Sequence, residues 1–72
     1  MSRRYDHADI TLRALMEEAG VSAEVLSRRT GISAATIRAI LGGRQKSVST
    51  RNMILFARYF GKNLVELVES FA

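Results

Sequence analysis

Residues 22–41, SAEVLSRRTGISAATIRAIL, contain the signals that decide the fold of this chain. Ser22 is placed to cap a first helix, with Glu24 in the first turn, where the helix dipole favours an anion. Gly31 then supplies a residue for a left-handed turn, and Ser33 is placed to cap a second helix. The stretch therefore predicts two short helices joined by a tight turn.

Apolar residues at helical spacing predict three further helices outside this stretch. The first ends before Gly20, and the fourth follows a cap at Ser49 or Thr50. The fifth covers about residues 64–71. The chain contains no proline, so nothing in it blocks a mostly helical structure. The expected fold is all-α, a single compact domain of five helices over residues 1–72.

The length and composition of the chain exclude several kinds of site. Its 72 residues predict one domain with a small core, and the lack of cysteine excludes a disulfide framework and a thiolate metal site. His7 is the only histidine and no nucleophile is paired with a base, so no metal, cofactor or enzymatic activity is expected. No apolar run could span a bilayer and the start lacks the apolar segment of a signal peptide, so we expect a cytoplasmic protein without membrane contact.

Positive charge is concentrated in one long stretch of the chain. The net charge is +4, and between Glu24 and Glu66 there is no aspartate or glutamate. That stretch contains eight basic residues, which are Arg28, Arg29, Arg38, Arg44, Lys46, Arg51, Arg58 and Lys62. Two short helices followed by a basic loop suit a protein that reads the major groove of DNA, so double-stranded DNA is the expected partner.

The order of these residues resembles the lambda-repressor-like, or Cro/Xre, family of helix-turn-helix DNA-binding domains. The similarity extends over residues 17–22, 26–27, 30–33, 36–37, 40, 43–44, 49, 56–57, 60–61 and 63–67. A small residue, Ser27, stands four positions before the turn glycine, and the branched residues Ile37 and Ile40 stand six and nine positions after it. The resemblance implies a five-helix domain with its helix-turn-helix at about residues 22–41 and the second of these helices in the major groove.

The resemblance assigns the exposed face of that second helix to the groove. Its residues are Ser33, Ala34, Ala35, Thr36, Arg38 and Ala39. Arg38 either reads a guanine through O6 and N7 or binds only a phosphate. Ser33 and Thr36 either contact DNA or serve the helix itself, and the alanines either contact a thymine methyl group or are short so that the helix lies deep in the groove. Family members usually carry longer polar side chains here, so readout of DNA shape is expected to contribute.

A second set of residues is expected at the phosphate backbone, namely Ala23, Arg28, Arg29, Arg44, Gln45, Lys46, Ser47 and Arg51. Residues 44–48 are a polar, basic loop where family members meet phosphates, and the alternative is an ordinary solvated loop. The family often has glutamine at the position of Ala23. Arg3 and Arg4 belong to a flexible arm at residues 1–6 that enters a minor groove, or else to a disordered start.

The apolar face of the fifth helix exceeds the needs of so small a core, which predicts a homodimer. Two DNA-binding domains on adjacent half-sites make more contacts with DNA than one domain does. The expected interface consists of Leu64, Val65, Leu67, Val68 and Phe71. The alternative is that this helix only covers its own core.

These patterns predict a sequence-specific transcriptional regulator that acts as a dimeric repressor and is associated with the nucleoid. Two alternatives stay open. One is the antitoxin of a toxin–antitoxin pair, which both binds DNA and neutralises a toxin. The possible protein partner of the chain is accordingly a toxin or an antirepressor. The other is a protein-interaction module of the same fold without DNA readout. DNA binding through several phosphates must weaken steeply with salt, whereas apolar docking of a protein should not.

Overall fold

Five helices and a small sheet make up residues 2–72, which the computed structural model describes. In chain order they are β1 (Ser2–Arg4), α1 (Ala8–Ala19), α2 (Ala23–Thr30), α3 (Ala34–Leu41), β2 (Ser47–Ser49), α4 (Thr50–Phe60) and α5 (Leu64–Phe71). The predicted all-α fold with a helix-turn-helix is confirmed, and the sheet is an addition to it. Met1, part of the predicted arm, lies outside the described residues.

Polar side chains cap the N-termini of α2, α3, α4 and α5. Ser22, Ser33 and Ser49 each accept a hydrogen bond from the backbone N–H three residues on, at 3.2, 3.1 and 3.1 Å respectively. Asn63 Oδ1 accepts from two N–H groups of the first turn of α5, at 2.9 and 3.2 Å. Each cap satisfies a donor that the helix itself leaves open and contributes about 1 kcal/mol. Of the two caps predicted for α4, the structure has Ser49.

The turn between α2 and α3 is closed by backbone and side-chain hydrogen bonds. Gly31 has a φ of +81°, a left-handed conformation that a branched residue adopts only with strain. Its N–H donates to the carbonyl of Ser27 at 2.8 Å. The hydroxyl of Thr30 donates to the carbonyl of Leu26 at 2.7 Å and accepts from the N–H of Ile32 at 3.2 Å. These bonds define the angle at which α3 leaves α2.

One cluster of buried side chains holds the helices together. Its members are Tyr5, Ala8, Leu12, Met16, Leu26, Ile32, Ile37, Ile40, Val48, Met53, Phe56, Ala57, Leu67 and Phe71. Three aromatic rings form its centre, with the centroid of Phe71 at 6.0 Å from that of Tyr5 and at 6.1 Å from that of Phe56. The described residues include no buried polar or charged side chain, so burial of apolar surface is what stabilises this domain.

Two residues predicted at a dimer interface belong to this core instead. Leu67 is 3% exposed and Phe71 is fully buried, so neither can meet a second protomer. The carbonyl of Phe71 accepts a hydrogen bond from the N–H of His7 at 2.8 Å, and its ring meets the ring of Tyr5 edge-on. The prediction is wrong for these two residues because α5 folds back over the start of the chain, and this enlarges the core that α5 must fill.

The start of the chain is a strand rather than a flexible arm. β1 pairs antiparallel with β2, with Arg3 opposite Val48. The N–H of Tyr5 extends the pairing by donating to the carbonyl of Lys46 at 2.6 Å. Tyr5 and Val48 are both buried, so apolar side chains anchor both strands in the core. The prediction of an arm at residues 1–6 is therefore wrong for its described part, and part of the predicted loop at 44–48 is strand β2.

Candidate nucleic-acid interface

The helix α3 is attached to the domain by one face and exposes the other. Ile37 and Ile40 are fully buried, as predicted, and Leu41 is half-buried against the core. On the opposite side the exposed residues are Ser33, Ala35 and Arg38, and the half-buried ones are Ala34, Thr36 and Ala39. The predicted groove residues therefore form a low surface from which one long side chain, that of Arg38, projects.

Ser33 and Thr36 are joined at the N-terminus of α3. The hydroxyl of Ser33 accepts from the N–H of Thr36 at 3.1 Å and donates to its Oγ1 at 2.8 Å. Ser33 therefore serves the helix as its cap, which was one of its two predicted roles. The hydroxyl hydrogen of Thr36 stays available, because its oxygen is the acceptor in this pair. A contact of either residue with DNA remains a prediction.

Arg38 forms an ion pair with Glu24 across the two helices of the motif. The pair joins Nη2 of Arg38 to Oε2 of Glu24, and the two side chains are 53% and 55% exposed. Glu24 lies in the first turn of α2, where its negative charge interacts favourably with the positive end of the helix dipole. Sequence reasoning missed this contact, because the angle between α2 and α3 decides which residues of the two helices meet.

The segment after α3 is ordered by bonds to the end of that helix. The N–H groups of Arg44 and Gln45 both donate to the carbonyl of Ala39, at 3.0 and 3.1 Å. The guanidinium of Arg44 lies over Gly42, where a Cβ would come within 3.0 Å of Nη1. The side chain of Gln45 donates to the carbonyl of Ser47 at 3.0 Å. The amide of Gln45 is therefore engaged within the segment, and contact of the segment with phosphates stays a prediction.

Strand β1 brings two more arginines beside this segment. Arg4 lies opposite Ser47 in the sheet, and its Nε donates to Oδ1 of Asp6 at 3.1 Å. The guanidinium carbon of Arg3 lies 5.4 Å from the centre of the Tyr5 ring, in cation–π range. Because their backbone is paired with β2, Arg3 and Arg4 are positioned by the sheet rather than by a free arm.

None of the five predicted phosphate-binding cations has an acidic partner within the described residues. The three ion pairs there join Arg4 to Asp6, Arg38 to Glu24 and Lys62 to Glu18. The basic residues of the predicted phosphate set are outside these pairs, namely Arg28, Arg29, Arg44, Lys46 and Arg51. Their charge is therefore available to a polyanion.

The side chain of Ala23 is a weak candidate for the phosphate backbone. It is a methyl group with no hydrogen-bond donor, and it is half-buried against the core. What remains at this position is the N-terminus of α2, where backbone N–H groups and the helix dipole favour an anion. The prediction for Ala23 is accordingly restricted to its backbone.

Arg13 of α1 is a supporting residue that sequence reasoning missed. Its Nη2 donates to the carbonyl of Leu41, the last residue of α3, at 2.8 Å. This bond satisfies a carbonyl that the helix leaves open and places a positive charge at the negative end of the dipole. No local signal could identify it, since the two residues lie on separate helices.

The described residues contain neither a helix long and apolar enough to cross a membrane nor a group of three or more histidine and acidic side chains that could hold a metal ion. They do contain two helices joined by a glycine turn. The second of these helices has one exposed face, and the segment that follows it carries cations without acidic partners. This arrangement is that of a helix-turn-helix domain.

Comparison with family models gives the same result. The model of the helix-turn-helix domain family matches residues 10–69, which is most of the chain. The chain therefore belongs to the helix-turn-helix domain family, and this membership indicates a DNA-binding regulator. Comparison with curated proteins and with solved structures found no match.

Proposed function

We propose that this protein is a sequence-reading transcriptional regulator of the Cro/Xre type that acts as a repressor. The observation that carries the proposal is the exposed face of α3, with Arg38 alone projecting from short side chains. In the proposed complex this face lies in the major groove, and Arg38 donates to O6 and N7 of a guanine. Bound over a promoter, such a protein represses by excluding other proteins, and the proposed setting is the nucleoid in the cytoplasm.

The short residues on α3 have a specific part in this proposal. Ala34, Ala35 and Ala39 allow the helix to approach the base edges closely and leave one residue for direct readout. A single base-reading side chain supports only modest discrimination, so the shape and deformability of DNA contribute to selection. Arg44 and Lys46 bind phosphates beside the groove and set the register of α3.

The test is binding of a random-sequence duplex pool, followed by sequencing of the bound DNA. Fluorescence anisotropy at about 50 mM and about 200 mM salt should give affinities that fall steeply, with a slope of about −0.9 for each phosphate neutralised. We expect the double variant Arg44→Ala, Lys46→Ala to bind every sequence more weakly and to flatten the slope by about 1.8.

A charge-matched control is available at the other end of α4. The variant Arg58→Ala, Lys62→Ala removes the same charge at the far end of α4, a helix of 11 residues, about 16 Å long in all, whose first residue follows β2 directly. It should leave the slope nearly unchanged. Equal slopes for the two double variants would contradict the phosphate contacts at residues 44–46, and no binding by the wild type at low salt would contradict the function itself.

A homodimer is part of the proposal, with an interface smaller than the sequence predicts. Leu64 and Val65 are 39% and 65% exposed at the start of α5, and Val68 is half-buried beside them. In the proposed complex the two α3 helices of the dimer bind half-sites about 34 Å apart.

We expect the variant Leu64→Ser, Val65→Ser to sediment as a monomer under conditions in which the wild type sediments as a dimer. The reason is that apolar surface exposed in the protomer is what such an interface would bury. The matched control is Ile10→Ser, which removes an apolar side chain that is 62% exposed on α1. A dimer that survives the first change, or that the control disrupts equally, would place the interface elsewhere.

The same exposed pair, Leu64 and Val65, is the observation that favours an alternative function. In an antitoxin or an interaction module, a toxin, an antirepressor or another protein would cover it. A wild type that sediments as a monomer and binds DNA without selection would favour that alternative.

A further inference from the structure

Among the basic residues assigned to the groove and to the phosphates, one differs in its surroundings. Within the described chain, Arg38 is the only one of the cations assigned to the major groove or to the phosphates that is paired with a carboxylate, whereas Arg28, Arg29 and Arg44 have no acidic partner. The side chain assigned to base reading is therefore oriented by an ion pair, whereas the side chains assigned to phosphates form none. The holding residue, Glu24, is also the last acid before the long basic stretch.

We propose that Glu24 is a positioning residue for Arg38 and thereby sets the sequence selectivity of α3. This inference rests on the DNA-binding function proposed above. Glu24 engages Nη2 of the guanidinium, which has further N–H donors in a rigid, planar arrangement. One guanidinium can therefore bond the carboxylate and a guanine at the same time. The orientation that Glu24 imposes reduces the freedom that Arg38 loses when it binds a base.

On DNA without a suitably placed guanine, the same pair works against binding. To bind a phosphate, Arg38 must break its ion pair with Glu24. The carboxylate of Glu24 is then left unpaired near the phosphate, and the two like charges repel each other. The pair thus supports or leaves unchanged the binding of a cognate site, and it weakens binding to all other sequences. Without Glu24, the guanidinium would be free to bind a phosphate on any sequence.

The experiment compares Glu24→Ala with the wild type on the duplex selected above and on a random duplex, at two salt concentrations. Removal of the carboxylate should raise affinity for the random duplex and leave affinity for the selected duplex equal or lower. The ratio of the two affinities should fall by about tenfold, which lies within the range for one bidentate base contact. The salt slope on the random duplex should steepen by about 0.9, because one more phosphate is neutralised.

Two comparisons separate positioning from a general effect of charge. Glu18→Ala makes the same change in net charge, but Glu18 is paired with Lys62, 3.7 Å away, and not with Arg38. It should leave the affinity ratio unchanged. In an Arg38→Ala background, Glu24→Ala should have no further effect on the ratio, because its role is exercised through Arg38.

The inference is overturned if Glu24→Ala shifts both affinities by one factor, if Glu18→Ala has the same effect, or if the effect persists in the Arg38→Ala background. Binding by the wild type without enrichment of any sequence also overturns it, since no selectivity would then exist for Glu24 to set. A wild type that binds neither duplex at low salt overturns the proposed function itself. That result is obtained before any Glu24 variant is compared.

Discussion

Replacement of Phe71 by alanine is expected to remove about 3–5 kcal/mol from the free energy of unfolding. The ring of Phe71 is fully buried between those of Tyr5 and Phe56, so the change leaves a cavity where three parts of the chain meet. Natural domains are stable by only about 5–15 kcal/mol in total. The variant should therefore unfold at a much lower urea concentration, measured by far-ultraviolet circular dichroism.

The control for this change lies on the same helix. Glu69→Ala truncates an exposed side chain outside the proposed dimer interface, and it should change stability by less than about 0.5 kcal/mol. If Phe71→Ala instead left the urea midpoint in place and only dissociated a dimer, the role of α5 first expected from the sequence would be right. The assignment of Phe71 to the core would then be wrong.

Replacement of Arg38 by alanine should have the largest effect on selectivity. We expect the variant to lose about 1–3 kcal/mol of discrimination between the selected duplex and a random one, which is the contribution of a bidentate contact with guanine. Affinity for random DNA should change less, because in the wild type Glu24 already neutralises this guanidinium. Competition binding with both duplexes, at one salt concentration, measures the difference.

Arg28→Ala supplies the contrast. It removes an exposed cation that has no acidic partner in the described chain, and it should weaken binding to both duplexes by a similar factor. If Arg38→Ala behaves in the same way as Arg28→Ala, Arg38 binds only a phosphate, which was the alternative left open by the sequence. Selection would then depend on DNA shape.

Phe71→Ala tests the core of the domain, and Arg38→Ala tests the DNA-binding face that the core positions. The core around Phe71 joins the start of the chain to its end, and the strand β1 that begins the chain lies against the segment after α3. The residue that reads DNA therefore projects from a helix whose position depends on distant packing. A variant that weakens DNA binding is informative only if its urea midpoint equals that of the wild type.

The helix-turn-helix itself could be predicted from the sequence because its signals are local. Ser22 and Ser33 cap helices through bonds that span three residues, and Gly31 provides a turn within one residue. The apolar spacing of Ile37 and Ile40 likewise indicates which face of α3 is buried, and hence which face is free. Such rules act within a few residues, so the sequence by itself determined the helices, the turn and the exposed face.

Only the tertiary structure decided what these elements meet. Two contacts join residues that lie on different elements, namely the strand pairing of Arg3 with Val48 and the ion pair of Glu24 with Arg38. No helical spacing and no capping pattern in the sequence predicts either contact. The burial of Phe71 depends on the angle at which α5 returns over the start of the chain. Helical spacing shows that a face is apolar, but it cannot show whether the domain's own core or a second protein covers it. Packing across the whole domain settles that question, because burial is a property of three-dimensional neighbours.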